Sequence, residues 1–90
     1  MTVSHHPDRN RFESQHEEPA YLEYQTSEEG TIDLTHTIVP VALEGKGVGS
    51  ALVRAALDHA KENDLKVIPT CSFVQSWLER HPEYGDLVAD

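Results

Sequence analysis

The sequence predicts an α/β (α+β) domain in which helices pack against a mixed β-sheet. The first observation is a strand pattern over Thr31–Val39, where polar residues alternate with a mostly apolar row. The second is a helical repeat of apolar residues over about Gly47–Asn63, followed by a short apolar segment at Leu65–Ile68. This order predicts two parallel strands joined by a right-handed crossover. The mostly apolar row of the first strand consists of Ile32, Leu34, His36 and Ile38.

Two further elements are predicted on either side of this unit. Residues Ala20–Gln25 alternate between apolar and polar, which indicates another strand with one buried face. A second helix is expected to begin at Pro69–Thr70 and to end at His81–Pro82, because proline cannot continue a helix. This helix is expected to pack against the sheet. Its apolar side carries Phe73, Val74, Trp77 and Leu78.

Length and composition limit the possible functions. A chain of 90 residues forms one small domain, and it has no run of about eighteen apolar residues that could span a membrane. The formal charge of −9 argues against non-specific nucleic-acid binding and would repel an anionic ligand at long range. The single cysteine excludes an internal disulfide, and the polar N-terminus lacks a signal-peptide pattern, so we expect a cytoplasmic protein.

The N-terminal residues are polar and differ in composition from the rest. Residues 1–8 include the adjacent His5 and His6 and are expected to be disordered, while residues 9–90 form a single domain. Two histidines without a third ligand at suitable spacing do not predict a metal site.

A glycine-rich turn connects the predicted strand to the predicted helix. It runs over Leu43–Ser50 and reads LEGKGVGS. Glycines at alternate positions allow close approach of a ligand, and the first amides of a helix favour an anion, so the turn suits a phosphate. The dinucleotide fingerprint fails on spacing and on its distant acidic residue, and Lys46 is not followed by the Ser or Thr of a nucleotide-hydrolase phosphate loop.

Four motifs together indicate a family. Residues Glu44–Gly49 match the pyrophosphate signature Gln/Arg-x-x-Gly-x-Gly/Ala at its last two glycines, with Glu44 where Gln or Arg is usual. His36–Pro40, Pro69–Val74 and His81–Tyr84 occur around it in the expected order and spacing. Over roughly residues 9–88 the chain therefore resembles the small single-domain GNAT-like N-acetyltransferases of the GNAT acetyltransferase superfamily.

The resemblance implies a fold and a ligand. It requires a first strand at about Arg9–Gln15, which gives the GNAT-like order β-β-β-α-β-α. It implies coenzyme A or acetyl-CoA as cofactor, an unidentified amine as acceptor, and a monomer or homodimer. A splay between parallel strands near Pro40 would receive the pantetheine arm. The implied cofactor-binding residues are Ile38, Val39, Pro40, Glu44, Gly45, Lys46, Gly47, Val48, Gly49 and Ser50.

Two residues are candidates for catalysis. Cys71 follows the second parallel strand at the start of a helix, where a thiol pKa falls, so it could accept the acyl group as a nucleophile or be a small buried residue. His36 has a pKa range that suits a general base, but its apolar strand face favours a core or ligand-orienting role. Direct attack by the amine on acetyl-CoA would need no thiol.

Two functions are consistent with these features. The chain is predicted to be an acetyl-CoA-dependent N-acetyltransferase, acting directly or through a Cys71 thioester. The alternative is a non-catalytic module that binds CoA or acyl-CoA on the same fold, because so short a chain lacks the N-terminal helices that build an acceptor site in larger relatives.

Overall fold

A five-stranded mixed sheet organises the protein, for which we use a computed structural model that describes residues 3–27 and 30–89. The strands lie in the sheet in their chain order, β1 to β5. Neighbouring strands from β1 to β4 are antiparallel, and β4 and β5 are parallel, so the predicted mixed sheet is confirmed. The strands are β1 (Val3–His6), β2 (Arg11–Ser14), β3 (Ala20–Thr26), β4 (Thr31–Ile38) and β5 (Lys66–Ile68).

Two α-helices cover one face of this sheet. Helix α1 spans Val48–Glu62 and helix α2 spans Ser72–Arg80, while Val41–Leu43 and Pro82–Leu87 form short 3₁₀ turns. The apolar stripe of α1 and the buried side of α2 join the inward residues of β3 and β4 in one hydrophobic core. That core includes Leu22, Ile32, Leu34, Leu52, Leu57, Val67, Val74 and Trp77, each at most 1% exposed.

The N-terminal segment differs from expectation, because Val3–His6 form the edge strand β1 rather than a disordered end. The His5 ring stacks on Phe12 at 4.4 Å between centroids and lies 4.5 Å from the His59 ring of α1. Its Nε2 atom also lies 2.5 Å from the Tyr24 hydroxyl. The polar composition concealed this strand, since histidine here packs as an aromatic ring.

Strand β4 contains a β-bulge that reverses which side chains face the helices. Tyr24 of β3 lies opposite Leu34, but the preceding residue Glu23 lies opposite His36, so Thr35 is an extra residue on β4. The Thr35 hydroxyl donates a hydrogen bond to the Glu23 carbonyl at 3.1 Å, which holds the bulge. The regular alternation predicted for Thr31–Val39 is therefore wrong beyond Leu34.

The C-terminal residues close the far edge of the sheet. The Ala89 amide donates to the Val67 carbonyl at 2.8 Å, and Val88 forms a parallel bridge with Val67. Tyr84 packs near the Trp77 ring, with 5.4 Å between centroids. In the described part of the chain, no helix is long and apolar enough to cross a membrane.

Candidate functional site

A cavity of about 430 Å³ opens where β4 ends and both helices begin. The glycine-rich turn forms one wall, the end of β4 forms a second, and α2 contributes one aromatic side chain. The lining residues are Thr37, Val39, Leu43, Glu44, Gly45, Gly47, Val48, Gly49, Ser50 and Phe73.

The turn before α1 leaves the helix N-terminus open to a ligand. Gly45 and Gly47 have φ angles of 78° and 79°, in the left-handed region that glycine adopts without steric cost. Gly47 is the N-cap, no side chain caps the helix, and its first turn has no acidic residue. The first amides of α1 are therefore free to donate to an anion at the positive end of the helix dipole.

Strands β4 and β5 pair over only three residues each, from Thr31–Asp33 to Lys66–Ile68. The Leu34 carbonyl still accepts a hydrogen bond from the Cys71 amide at 2.9 Å. Beyond Leu34, no strand among the described residues pairs with this edge of β4. The parallel strands thus separate beside the cavity, four residues before the end of β4 at Ile38.

Cys71 lies in this gap as the N-cap residue of α2. Its sulfur is 3.5 Å from the Thr37 hydroxyl, and the side chain is half-buried. Burial raises the pKa of the Cys71 thiol, but the Thr37 hydroxyl and the amides of Val74, Phe73 and Thr37 outweigh it, so that the pKa is lowered. These donors stabilise the thiolate, which is the nucleophilic form.

His36 lies on the opposite face of the sheet from the cavity. Because of the bulge, it stands opposite Glu23 and is exposed, instead of sharing a face with Leu34. The structure therefore does not bring the two catalytic candidates together. His36 does not line the cavity, and its predicted core position is wrong because the side chain is exposed.

The predicted cofactor-binding residues divide into two groups. Most line the cavity: Val39, Glu44, Gly45, Gly47, Val48, Gly49 and Ser50. Three do not. Ile38 shares the outer face with His36 and is 46% exposed, Pro40 borders a separate cavity of about 130 Å³, and Lys46 is an exposed turn residue.

Three lining residues were missed by sequence reasoning: Thr37, Leu43 and Phe73. Thr37 faces the cavity only because of the bulge, and no pattern in the sequence predicts that bulge. Phe73 belongs to the predicted apolar side of α2, yet it is 38% exposed. Trp77 belongs to the same side and is buried in the core, where its indole N–H donates to the Ser50 hydroxyl at 2.8 Å.

The charge of the site is carried by one side chain. Of the described residues that line the cavity, Glu44 alone is ionisable. A carboxylate beside the open helix N-terminus offsets the positive potential of the helix dipole, which weakens the attraction for a phosphate. Any anion at this position must therefore be held by backbone amides.

Comparison with known proteins identifies the class to which this fold and site belong. A family model described as GCN5-related N-acetyl-transferase matches residues 11–87. The chain belongs to this family, and the predicted resemblance is confirmed.

Individual relatives agree with this assignment. The chain is 34% identical to Protein NATD1 of Danio rerio over 89 residues, covering 93% of this chain and 81% of that protein. It is 40% identical to Protein NATD1 of Xenopus tropicalis over 63 residues, covering 70% of this chain and 58% of that protein. The chain thus spans less than two thirds of the Xenopus relative.

A solved structure supports the fold as well. It is the NMR solution structure of a GCN5-like protein from Staphylococcus aureus, described as a proposed N-acetyltransferase. The TM-score is 0.78 with 33% sequence identity, and the match covers 98% of this chain and 87% of that chain.

Proposed function

We propose that this protein binds acetyl-CoA in the cavity and transfers the acetyl group to an amine. One observation carries the proposal: the uncapped N-terminus of α1 opens into the cavity, and Thr37, which lines the cavity, contacts the half-buried Cys71 thiol, whose pKa is lowered. The helix N-terminus is suited to a pyrophosphate and the thiol to an acyl carbon.

The chain's own groups would hold acetyl-CoA mainly through the backbone. The amides at the start of α1, with the left-handed Gly45 and Gly47, would bind the pyrophosphate. The unpaired edge of β4 at Thr37, together with the following Val39, would receive the pantetheine arm as an added strand would. Bound there, acetyl-CoA supplies an acetyl group activated as a thioester.

Cys71 provides one of two routes for the transfer. Its thiolate would form a bond to the acetyl carbon while the CoA sulfur leaves and takes up a proton. The amine would then displace the Cys71 sulfur, forming an amide, losing a proton and restoring the thiolate. In the direct route the amine attacks acetyl-CoA itself, and Cys71 takes no part in the transfer.

Mass spectrometry of the protein incubated with acetyl-CoA tests the proposal, with native and denaturing spectra recorded side by side. We expect a non-covalent CoA adduct in the native spectrum and an acetyl mass shift that survives denaturation. Cys71→Ala should lose the covalent shift and keep the non-covalent adduct, and this loss would assign the acetyl group to the Cys71 sulfur rather than to a lysine.

Other outcomes separate the alternatives. A non-covalent adduct without a covalent shift, together with acetylation of a test amine, would support direct transfer. An adduct with neither would indicate a CoA-binding module without catalysis. The absence of both CoA and acetyl adducts would contradict the proposed function.

A further inference from the structure

Phe73 differs from the other apolar residues of α2 in its exposure. Val74 and Trp77 of the same helix are at most 1% exposed, whereas Phe73 is 38% exposed and lines the cavity. Burying a phenylalanine ring stabilises a protein, so a half-exposed ring at a cavity wall is a position where function can outweigh packing.

The far edge of the Phe73 ring rests on helix α1. A Cβ atom built on Gly49 would lie 2.7 Å from the ring atom Cζ and 3.1 Å from Cε2. Gly49 does not have a positive φ angle, so its backbone conformation does not require glycine. A side chain at this position would instead collide with the Phe73 ring. The ring therefore bridges the N-termini of the two helices.

The backbone of Phe73 lies at the Cys71 thiol. Its backbone amide is one of the groups that stabilise the Cys71 thiolate, and Thr37, which contacts that sulfur, lines the same cavity. Phe73 thus connects the start of α2, where its amide lies at the sulfur, to the glycine-rich turn, where its ring meets Gly49. A chain that extended beyond an acyl carbon at Cys71 would meet this ring.

We infer that Phe73 sets the length of the acyl group that the site accepts and restricts it to short acyl chains such as acetyl. This inference rests on the proposed function. The cavity volume of about 430 Å³ lies toward the lower end of the range of ligand pockets, so little space is left beyond a short acyl group. Removing the ring would join the space near the sulfur to the rest of the cavity.

Binding of CoA, acetyl-CoA, butyryl-CoA and hexanoyl-CoA, measured by isothermal titration calorimetry, tests the inference. We expect the unmodified protein to bind acetyl-CoA at least about tenfold more tightly than hexanoyl-CoA, since misfitting methylenes cost at least that much. Phe73→Ala should reduce this preference to less than about threefold, and Phe73→Leu should give an intermediate value.

Ile68→Ala is the matched control. Ile68 has the same exposed fraction of 38% as Phe73, does not line the cavity, and loses a comparable apolar side chain in the variant. It should retain the chain-length preference of the unmodified protein. If Phe73→Ala does not fold, as judged by its circular dichroism, Phe73→Leu decides the question alone.

The failure of the inference is distinguishable from the failure of the proposed function. If the Phe73 variants change the affinity for CoA and all three acyl-CoAs by the same factor, Phe73 contacts the ligand without selecting the acyl group, and the inference is overturned. If the unmodified protein binds hexanoyl-CoA as tightly as acetyl-CoA, it is overturned as well. If the unmodified protein binds none of the four, the proposed function fails with it.

Discussion

The two helices begin near the same cavity, but their N-termini carry different groups. The N-terminus of α1 is formed by backbone alone, with a left-handed glycine as N-cap and no capping side chain. The N-terminus of α2 begins at Cys71 in extended conformation, and its own sulfur lies against the amides of Phe73 and Val74. The α1 terminus is therefore open to an external anion, whereas the α2 terminus already stabilises the anion of its own thiol.

The largest effect expected at the α1 terminus is that of Gly47→Val. A β-branched residue at a φ angle of 79° is strained by about 1–3 kcal/mol, so the turn should leave the left-handed conformation and misdirect its amides. CoA affinity, measured by calorimetry, should fall at least about tenfold, since the lower part of that strain already corresponds to several-fold.

Gly30→Val provides the control for this change. Gly30 has the same φ angle of 79°, and its Cβ would likewise meet no atom within 4 Å, but it lies at the start of β4, away from the cavity. If Gly30→Val weakens CoA binding as much as Gly47→Val does, general destabilisation explains the loss and the α1 terminus is not the phosphate site.

At the α2 terminus, Thr37→Val should raise the pKa of the Cys71 thiol. The variant keeps the shape of the side chain but removes the hydroxyl that favours the thiolate. The alkylation rate by iodoacetamide, followed against pH, should shift to higher pH, and the rate near neutral pH should fall by about threefold to tenfold. This measurement needs no CoA.

Thr35→Val is the matched control, because the Thr35 hydroxyl donates to the Glu23 carbonyl instead of the thiol. It should leave the pH profile of alkylation unchanged. An unchanged profile in Thr37→Val would mean that the helix amides alone set the thiol pKa.

The smallest effect expected is that of Glu44→Gln, which removes the negative charge beside the α1 terminus. An exposed like-charge contact costs about 0.2–1 kcal/mol, so CoA binding should strengthen by about twofold to fivefold. The gain should shrink at high salt, where exposed charges are screened. Glu62→Gln, the same change at the other end of α1, should have no such effect, and an equal gain there would indicate a response to net charge only.

Sequence reasoning predicted those parts of the site that depend on local patterns. The β4–α1–β5 unit follows from periodicity, and the role of the turn in lining the cavity follows from its glycines. The bulge at Thr35 was not predictable, because it depends on the pairing of β4 with a strand distant in the chain. The place of Phe73 in the cavity wall was not predictable, because helical periodicity distinguishes inside from outside but not a core from a cavity wall.

Strand β1 was missed for a related reason. His5 contributes to the fold through ring contacts with Phe12, Tyr24 and His59, and these residues come from three other elements. A scale that treats histidine as polar gives no weight to such stacking.

The bulge also means that β4 could lose one residue without changing whether Leu34 and Thr37 face the helices. With Thr35 present, Leu34 and Thr37 both face the helices although they are three positions apart, a spacing that a regular strand would place on opposite faces. A chain that lacked Thr35 would run as a regular strand with the same two residues facing inward, and it would be shorter by about 3.3 Å. A regular strand that kept Thr35 would instead turn the imidazole of His36 toward the thiol. One extra residue in β4 thus decides whether a threonine or a histidine lies beside Cys71.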